Sequence, residues 1–544
     1  MSHDIVLAST RAVLTLPDDS LLLSPATITI SPSTGRITSI TPSLLPQSSF
    51  PPGTPYVDHS PRLLLPGLVD AHVHLNEPGR TEWEGFETGT RAAAVGGVTT
   101  VVDMPLNAIP PTTTIGGFKA KIAAAQGQCW VNVGFYGGVV PGNQDELLPL
   151  VEAGVRGFKC FLIDSGVDEF PAVSGKDVEI AMGVLKDAPT TLMFHAEMDC
   201  QSAPALRNDR RLRDPQPRAL APNLHLHVVH LSATQCIPML REARANGVNI
   251  TAETCFHYLG LKAEDIEDGD TRHKCCPPIR EGNNQDALWA ELASPDSCIR
   301  TVVSDHSPCT PELKVLPARL SKAEAPADDF VDSGFSSPRG SDDQIASLNA
   351  SVAEVPKLLE TPMSIASPDS GIDNPLDTPP SKLTPPAAPE RPDSAIGVAA
   401  GDAPGLDKVD AALVTPGDFF AAWGGISSVG LGLPILHTAS RGKGLDVLDI
   451  VRLCSQATAK QVGLSHRKGG LKVGMDADVC VFDDAEEWML TPGEMRWKNK
   501  CSPWEGRTFR GKVKETWVGG RKVWDGRELV GTPAGELILE KRVA

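Results

Sequence analysis

Short apolar runs alternate with longer amphipathic stretches over most of the chain. Eight of these runs have the length of a buried strand, and helical stretches follow them. The runs are LLLPGLVDAHVH, VTTVVDMP, WVNVGFYGG, RGFKCFLI, TTLMFHAE, LHLHVVHLS, VNITAETCF and IRTVVSDHS. Strands that alternate with helices predict a parallel sheet, and eight of them are what a closed (β/α)8 barrel requires.

Both ends of the chain show a different pattern. Residues 1–65 contain short alternating runs such as RAVLTL, and residues 469–544 contain VGMDADVCVFDD and RKVWDGREL, all interrupted by turn-forming residues. We therefore predict an α/β protein. A (β/α)8 TIM-type barrel would occupy 66–314 and 411–468, and the two ends would pair into one small β-sandwich domain.

Two segments break the barrel pattern. Residues 315–410 are dense in Pro, Ser, Asp and Ala and bury too little apolar surface to fold, which predicts a disordered insertion. A regulatory or phosphorylated arm is the alternative. Between His195 and His230, the run DCQSAPALRNDRRLRDPQPRALAPN shows no amphipathic helix. We expect the fifth barrel helix to be missing or malformed there, either naturally or through a faulty gene model.

Composition narrows the classes of function. The formal net charge of -18 argues against nucleic acid or an anionic membrane as partner, and leaves a small molecule as the expected substrate. No run reaches the roughly 20 apolar residues of a membrane span, and the N-terminus lacks a basic secretory start. The C-terminal KRVA is not the peroxisomal SKL signal, so we expect the cytosol, with the peroxisome left open. The 12 cysteines contain no CxxC pair and are predicted to be reduced thiols.

Polar residues stand at the ends of the apolar runs. His72 and His74 end the first run, and the two-residue period of a strand puts both on one face, where they can share a metal ion. His225 and His227 form a second pair, but with the opposite parity from His230. If His230 faces the barrel interior, this second pair faces the helices and is structural or on the surface.

Four further residues complete a candidate metal set. Lys159 lies in RGFKCFL, where a free ammonium inside a barrel is costly. Carbamylation by CO₂ would make it an anionic ligand that bridges two metals; pairing with an interior carboxylate is the alternative. His195 and His230 are ligands suited to zinc, and Asp305 offers a ligand oxygen and a proton acceptor. The ensemble fits two ions about 3.5–4 Å apart, bridged by a hydroxide that attacks an amide carbonyl.

Longer runs around these residues resemble the cyclic amidohydrolases, a family that includes dihydroorotases, hydantoinases and allantoinases. The runs most similar to the allantoinase group are HVHLNEPGRTEWEGFETGTRAAAVGGVTTVVDMPLN, GFKCFLIDSGVDEFP, ETCFHYL, KCCPPIRE, SDHSPC and FFAAWGGISSVGLGLP. The resemblance implies a hydrolase that opens the hydantoin ring of allantoin to allantoate in purine catabolism. It also implies two zinc ions bridged by carbamylated Lys159, and a homo-oligomer, with a tetramer expected. The implied metal ligands are His72, His74, Lys159, His195, His230 and Asp305.

Position 76 distinguishes substrates within that family. Dihydroorotases carry an arginine there, which clamps a carboxylate, whereas Asn76 can donate to and accept from neutral ureido and amide groups. Asn107 and the loop at 165–169, with Ser165, are further candidates for substrate contact, and a role in turns is their alternative. Two other functions remain open: a hydantoinase or dihydropyrimidinase type of cyclic amidase, and a non-catalytic relative that serves as an assembly scaffold.

Overall fold

The computed structural model describes residues 4–197, 221–320 and 415–542. Strands appear at both ends of the chain and throughout its middle. The N-terminal strands are β1 Ile5–Thr15, β2 Leu21–Ser31, β3 Arg36–Thr41, β4 Tyr56–Asp58 and β5 Leu63–Pro66. The middle strands are β6 Leu68–Val73, β7 Val98–Asp103, β8 Asn132–Phe135, β9 Gly137–Gly138, β10 Phe158–Phe161, β11 Thr191–His195, β12 His225–Val228, β13 Ile250–Cys255 and β14 Ile299–Val303. The C-terminal strands are β15 Val479–Met489, β16 Thr508–Val518 and β17 Arg521–Trp524.

Helices follow the middle strands and form the outer layer. They are α1 Phe86–Val95, α2 Ile115–Ala125, α3 Gln144–Glu152, α4 Gly175–Leu185, α5 Ile237–Ala245, α6 Phe256–Gly260, α7 Gly282–Ala293, α8 Gly432–Ala439, α9 Val447–Val451 and α10 Ala457–Gln461. Local sequence fixes the start of α4, which begins with a capping box between Ser174 and Asp177. Within the described ranges, no helix is both long and apolar enough to cross a membrane.

The middle strands form the predicted barrel. Strands β6, β7 and β8 pair in parallel, and so do β9 to β14 in chain order, with β9 continuing the line of β8. A parallel bridge between Val73 and His306 closes the ring, and the backbone N–H of His74 donates to the carbonyl of His306 at 2.8 Å. All six residues of β7 are buried, as expected for a strand covered on both faces. The barrel prediction is confirmed.

The two ends of the chain share one sheet, as predicted. Its order is β17-β16-β15-β5-β1-β2-β3, with β4 paired to β1. The two termini join through the antiparallel strand pair β15–β5, in which Val479 lies opposite Pro66, and through an isolated bridge between Arg36 and Asp476. The first apolar run therefore belongs to two sheets and is not a single barrel strand. It divides at Gly67, where a Cβ would lie 2.2 Å from the side chain of Thr99.

The last described residues, 535–542, lie against the barrel at the N-terminal ends of its strands. The N–H of Gly535 donates to the carbonyl of Cys129 at 2.7 Å, and that of Ile538 donates to Val133 at 2.8 Å. Ile538 is fully buried. This tail covers the end of the barrel opposite to the one at which the polar residues gather.

Two predictions concern residues outside the described ranges. The predicted insertion at 315–410 lies outside them from residue 321 onward. Its first residues follow a short 3-10 helix, Pro311–Lys314, and the carbonyl of Val315 accepts from the N–H of Gly417 at 2.7 Å. The predicted absence of the fifth barrel helix falls on 198–220, which are also outside the described residues.

Candidate active site

The six predicted metal ligands meet in one cavity. The cavity measures about 350 Å³ and opens at the C-terminal ends of the barrel strands, where reactive groups of such barrels gather. Each of the six residues is buried, with at most 8% of its surface exposed. They are His72, His74, Lys159, His195, His230 and Asp305. They lie in five of the eight apolar runs, and the closed barrel brings them together.

The imidazole rings lie within a few ångströms of one another. The ring of His72 is 5.4 Å from that of His74 and 5.6 Å from that of His230, and the rings of His195 and His230 are 4.5 Å apart. Asp305 lies among them, because its Oδ1 is 3.2 Å from Nε2 of His72 and 3.6 Å from Nε2 of His74. Nitrogen and carboxylate donors at this spacing suit a transition-metal ion.

Two of these residues leave their strands in an unusual backbone conformation. His230 has φ of 37° and Asp305 has φ of 45°, so both lie in the left-handed region that costs a non-glycine residue on the order of 1–3 kcal/mol. Each stands two residues beyond the end of its strand, β12 and β14 respectively. The turn directs both side chains into the cavity, and strain of this kind is characteristic of functional sites.

The protonation states suit metal binding. Burial lowers the pKa of His74 to about 4, so its ring is neutral at pH 7 and can offer a lone pair. Burial opposes ionisation of Asp305, but the neighbouring His72 and His74 outweigh it and hold its pKa well below the ordinary value. The set therefore combines neutral imidazoles with a carboxylate.

Lys159 is the exception among these groups, since it is a buried cation. Burial lowers the pKa of its amine to about 8, and its Nζ lies 4.8 Å from the centre of the Phe161 ring. Among the described residues, it forms no ion pair with a carboxylate. Within the described ranges, the alternative in which Lys159 pairs directly with an interior carboxylate is thus not observed, although the charges of Asp305 and Glu253 act on it.

Unsatisfied buried atoms indicate where a metal would fit. Nε2 of His72 and Nδ1 of His230 are buried and make no hydrogen bond within the described ranges. Ligand atoms of His72, His74 and Asp305 lie within 4.8 Å of one another. Buried polar atoms are rarely left unpaired, so the donor set fits a metal centre.

Behind the cavity, His72 contacts a carboxylate that the sequence analysis missed. Oε1 of Glu253 lies 2.5 Å from Nδ1 of His72, and Oε2 lies 3.1 Å from Nε2 of His227. Burial would raise the pKa of Glu253, but the charge of His72 and the hydrogen bonds from both histidines bring it to about 2. A carboxylate in the apolar strand VNITAETCF was the available signal, of the same kind as the buried Lys159.

The prediction that His225 and His227 face the helices is wrong. His227 is buried inside the barrel against Glu253, and His225 lies beside it, with Nε2 2.7 Å from Oγ1 of Thr251. The parity argument failed because His230 is not part of β12. Its positive φ turns it into the cavity independently of the strand's alternation.

The three candidate substrate contacts occupy different places. Asn107 and Ser165 line the cavity, and Oδ1 of Asn107 is buried without a hydrogen-bond partner in the described part of the chain. Asn76 is fully buried outside the cavity lining, with φ of 62°, and its Nδ2 donates to the carbonyl of Pro308 at 3.3 Å. The left-handed backbone turns Asn76 toward this loop, so the expected direct contact with substrate does not follow from the structure.

Other lining residues lie in runs that carry the family resemblance but were assigned no role from the sequence. Lys274, Cys275 and Cys276 contribute one wall, and the segment 422–425 contributes another. The second wall is held firmly, since the N–H of Trp423 donates to Leu313 at 2.7 Å and its carbonyl accepts from Nζ of Lys314 at 3.1 Å. These residues reach the cavity through loops, whose position a strand pattern does not predict.

Comparisons with known proteins agree with this geometry. The sequence profile of the amidohydrolase family matches residues 63–367, and a second profile of that family matches 415–524. The chain is 40% identical to an allantoinase of Saccharomyces cerevisiae over 506 residues, which cover 89% of this chain and 87% of that protein. It is 34% identical to an allantoinase of Streptomyces avermitilis over 552 residues, 98% of each.

Solved structures share the fold. An L-hydantoinase (dihydropyrimidinase) from Arthrobacter aurescens superposes with a TM-score of 0.72 at 22% identity, and the match covers 99% of this chain and 100% of that chain. A dihydropyrimidinase from Brevibacillus agri matches with a TM-score of 0.69 at 20% identity, over 99% of each chain.

Proposed function

This chain belongs to the amidohydrolase family, within it to the allantoinases, and from that premise we propose that its six cavity residues hold two metal ions for the hydrolysis of allantoin. The reaction opens the hydantoin ring at an amide bond and gives allantoate. The observation that carries the metal proposal is the convergence of four imidazoles, one carboxylate and one buried amine on a single cavity. When bound, the metals would supply Lewis-acid activation of water and of the amide carbonyl.

Lys159 would join the set as a carbamate. A lowered pKa leaves part of the amine neutral near pH 7, and a neutral amine can attack CO₂. The new N–C bond forms as the nitrogen loses a proton to solvent, so the buried cation is replaced by an anion with two oxygens. This change removes an uncompensated buried charge and adds a ligand that can bridge two metals.

Asp305 is the group that moves protons. Its depressed pKa keeps it ionised, so it can accept the proton of the attacking water and deliver it to the departing ring nitrogen. Its position between His72 and His74 fixes the carboxylate at the base of the cavity. A single residue can therefore serve as base and then as acid.

Asn107 and Ser165 would orient the substrate. The buried Oδ1 of Asn107 has no hydrogen-bond partner among the described residues and can accept from a ring or ureido N–H. The hydroxyl of Ser165 donates to the carbonyl of Phe170 at 2.6 Å and accepts from the N–H of Val167 at 3.4 Å, so its oxygen has one lone pair left for the substrate. Both contacts recognise neutral N–H groups, as allantoin requires.

The decisive experiment compares hydrolysis of allantoin, dihydroorotate and hydantoin by protein supplied with zinc and bicarbonate. We expect turnover of allantoin above the other two, and loss of both turnover and bound metal in Lys159→Ala. Lys468→Ala is the matched control, since it removes a buried lysine that pairs with Asp476 and Asp478 far from the cavity. This control should lower stability but keep metal and activity in the folded protein.

Other outcomes would point to other functions. Preferred turnover of hydantoin would support a hydantoinase or dihydropyrimidinase type of amidase. A stable barrel that binds no metal and turns over none of the three substrates would support the assembly scaffold.

Three finer points are proposals that rest on the resemblance. We expect zinc as the metal, a homo-oligomer with a tetramer as its form, and a cytosolic enzyme of purine catabolism. Metal analysis of the protein purified without added metal, light scattering during size-exclusion chromatography, and localisation in the source cells would test them in turn.

A further inference from the structure

Glu253 sits at the end of a buried series of polar side chains that the reaction itself does not use. It is fully buried on β13, and its two oxygens contact His72 and His227 as described above. Nε2 of Gln461 lies 3.4 Å from the oxygen that faces His227. Glu253 does not line the cavity, so it can act on substrate only through His72.

The series begins at Arg542, in the tail that covers the other end of the barrel. Nη1 of Arg542 donates to Oγ1 of Thr191 at 3.0 Å. Arginine can only donate, so Thr191 accepts from it and can donate its own hydroxyl proton to Nδ1 of His225, which lies 3.2 Å away. His225 must then carry its ring proton on Nε2, which lies 2.7 Å from Oγ1 of Thr251.

The same logic continues to Glu253. Thr251 accepts from His225 and can donate its own proton to Nδ1 of His227, 2.7 Å away. His227 therefore carries its proton on Nε2 and donates it to Glu253 at 3.1 Å. Each donor in this order meets an acceptor, and for rings that carry one proton each the direction follows from the carboxylate of Glu253, which can only accept.

We propose that Glu253 is a positioning residue that holds His72 as the tautomer with its proton on Nδ1 and with Nε2 facing the metal centre. His72 donates from Nδ1 to Glu253 at 2.5 Å, and its free Nε2 lies 3.2 Å from Asp305. A carboxylate behind a histidine ligand fixes the ring orientation and raises its basicity. This inference rests on the proposed metal centre.

The test substitutes Glu253→Gln and measures affinity for zinc by competition between apo-protein and a chelating dye. The series directs two N–H donors at residue 253, so the amide –NH₂ of glutamine must face one of them. We expect zinc affinity to fall about ten- to a hundredfold, with an altered visible spectrum of the cobalt-loaded protein. Glu253→Asp keeps two acceptor oxygens and should recover part of the affinity.

Glu291→Gln is the matched control. Glu291 on α7 is also a buried carboxylate, accepts from the N–H of Cys298 at 2.7 Å, and pairs with Arg241 away from the cavity. Its loss should change zinc affinity less than twofold, which would separate general destabilisation from an effect on His72. If Glu253→Gln does not fold, zinc affinity is measured in His227→Leu instead. This variant removes one hydrogen-bond donor to Glu253 and should weaken zinc binding severalfold.

The outcomes distinguish this inference from the proposed function. Wild-type affinity in folded Glu253→Gln, or in His227→Leu where the former does not fold, would overturn the positioning role and leave the metal centre intact. Wild-type protein that binds no zinc would overturn both. Equal losses in Glu253→Gln and Glu291→Gln would show a structural role only and would also overturn the inference.

Discussion

At the scale of single residues, Glu253 and Lys159 are two charged side chains of the barrel interior whose burial is compensated to different extents. Glu253 is satisfied by two histidines, whereas Lys159 forms no ion pair with any described carboxylate. Both stand in strands that are otherwise apolar or weakly polar. A buried cation without an ion-pair partner is costly, and this cost is the physical reason for proposing that Lys159 is carbamylated.

Asp305→Asn should reduce kcat for allantoin about 10²- to 10⁴-fold, the usual contribution of a positioned acid or base. Asparagine keeps the size of the side chain but cannot take up and return a proton. Steady-state kinetics at saturating metal would measure the change. Metal content must be determined in parallel, and kcat within a few fold of wild type would assign the proton transfer to another group.

His225→Gln should flatten the acid dependence of stability. Burial lowers the pKa of His225 to about 3, so below pH 6.5 the unfolded chain binds a proton that the folded chain does not. Wild-type stability should therefore fall with decreasing pH between 6.5 and 3 by on the order of 1 kcal/mol per pH unit more than that of the variant. Urea unfolding of metal-free protein at several pH values would show it, and parallel curves would contradict it.

At the scale of elements, glycines permit the close contact between α1 and the segment before α8. A Cβ at Gly96, which follows α1, would lie 2.0 Å from Cα of Gly430. Gly430 itself has φ of 84°, and a Cβ there would lie 2.3 Å from the carbonyl oxygen of Ala92. Neither backbone can retreat without moving a barrel helix, so this contact requires glycine on both sides.

Gly96→Ala should destabilise the protein by about 3 kcal/mol, the upper range for overpacking. Gly183→Ala is the matched change within α4, because a Cβ at Gly183 meets nothing within 4 Å. Alanine there should stabilise the helix by about 0.5–1 kcal/mol. Thermal unfolding of both variants gives the comparison, and similar melting temperatures would show that the close contact is relaxed in solution.

At the scale of the whole molecule, the chain leaves the described barrel at residue 320 and returns to it at residue 415. The two connecting segments lie side by side. Gly417 donates to Val315 at 2.7 Å, and Trp423 donates to Leu313 at 2.7 Å. Trp423 also forms part of the cavity wall. This pairing therefore connects the described ends of the two segments directly to the site.

Replacement of 321–414 by about 12 Gly and Ser residues, which reach up to about 40 Å when extended, should leave the barrel folded. We expect kcat/KM for allantoin within about threefold of wild type, because loop length affects closure entropy only weakly. Circular dichroism and the allantoin assay would measure both. Loss of activity in a folded protein would show that the replaced residues contribute to the site.

The sequence by itself determined the class of fold and six side chains that line one cavity. Eight apolar runs followed by helices allow few arrangements other than a parallel barrel, and the ends of parallel strands meet at one face. His72, His74, Lys159, His195, His230 and Asp305 could therefore be assigned to one site before any distance was known. The shared sheet of the two termini followed from their alternating pattern.

Only the tertiary structure decided what surrounds that set. Strand parity misplaced His225 and His227, because alternation ends where β12 ends and His230 takes a left-handed turn beyond it. Asn76 faces a loop instead of the cavity for the same kind of reason. The role of Glu253 depends on its contacts with His72 on β6 and His227 on β12. Contacts between distant strands form when the barrel closes, so the order of residues along the chain does not predict them.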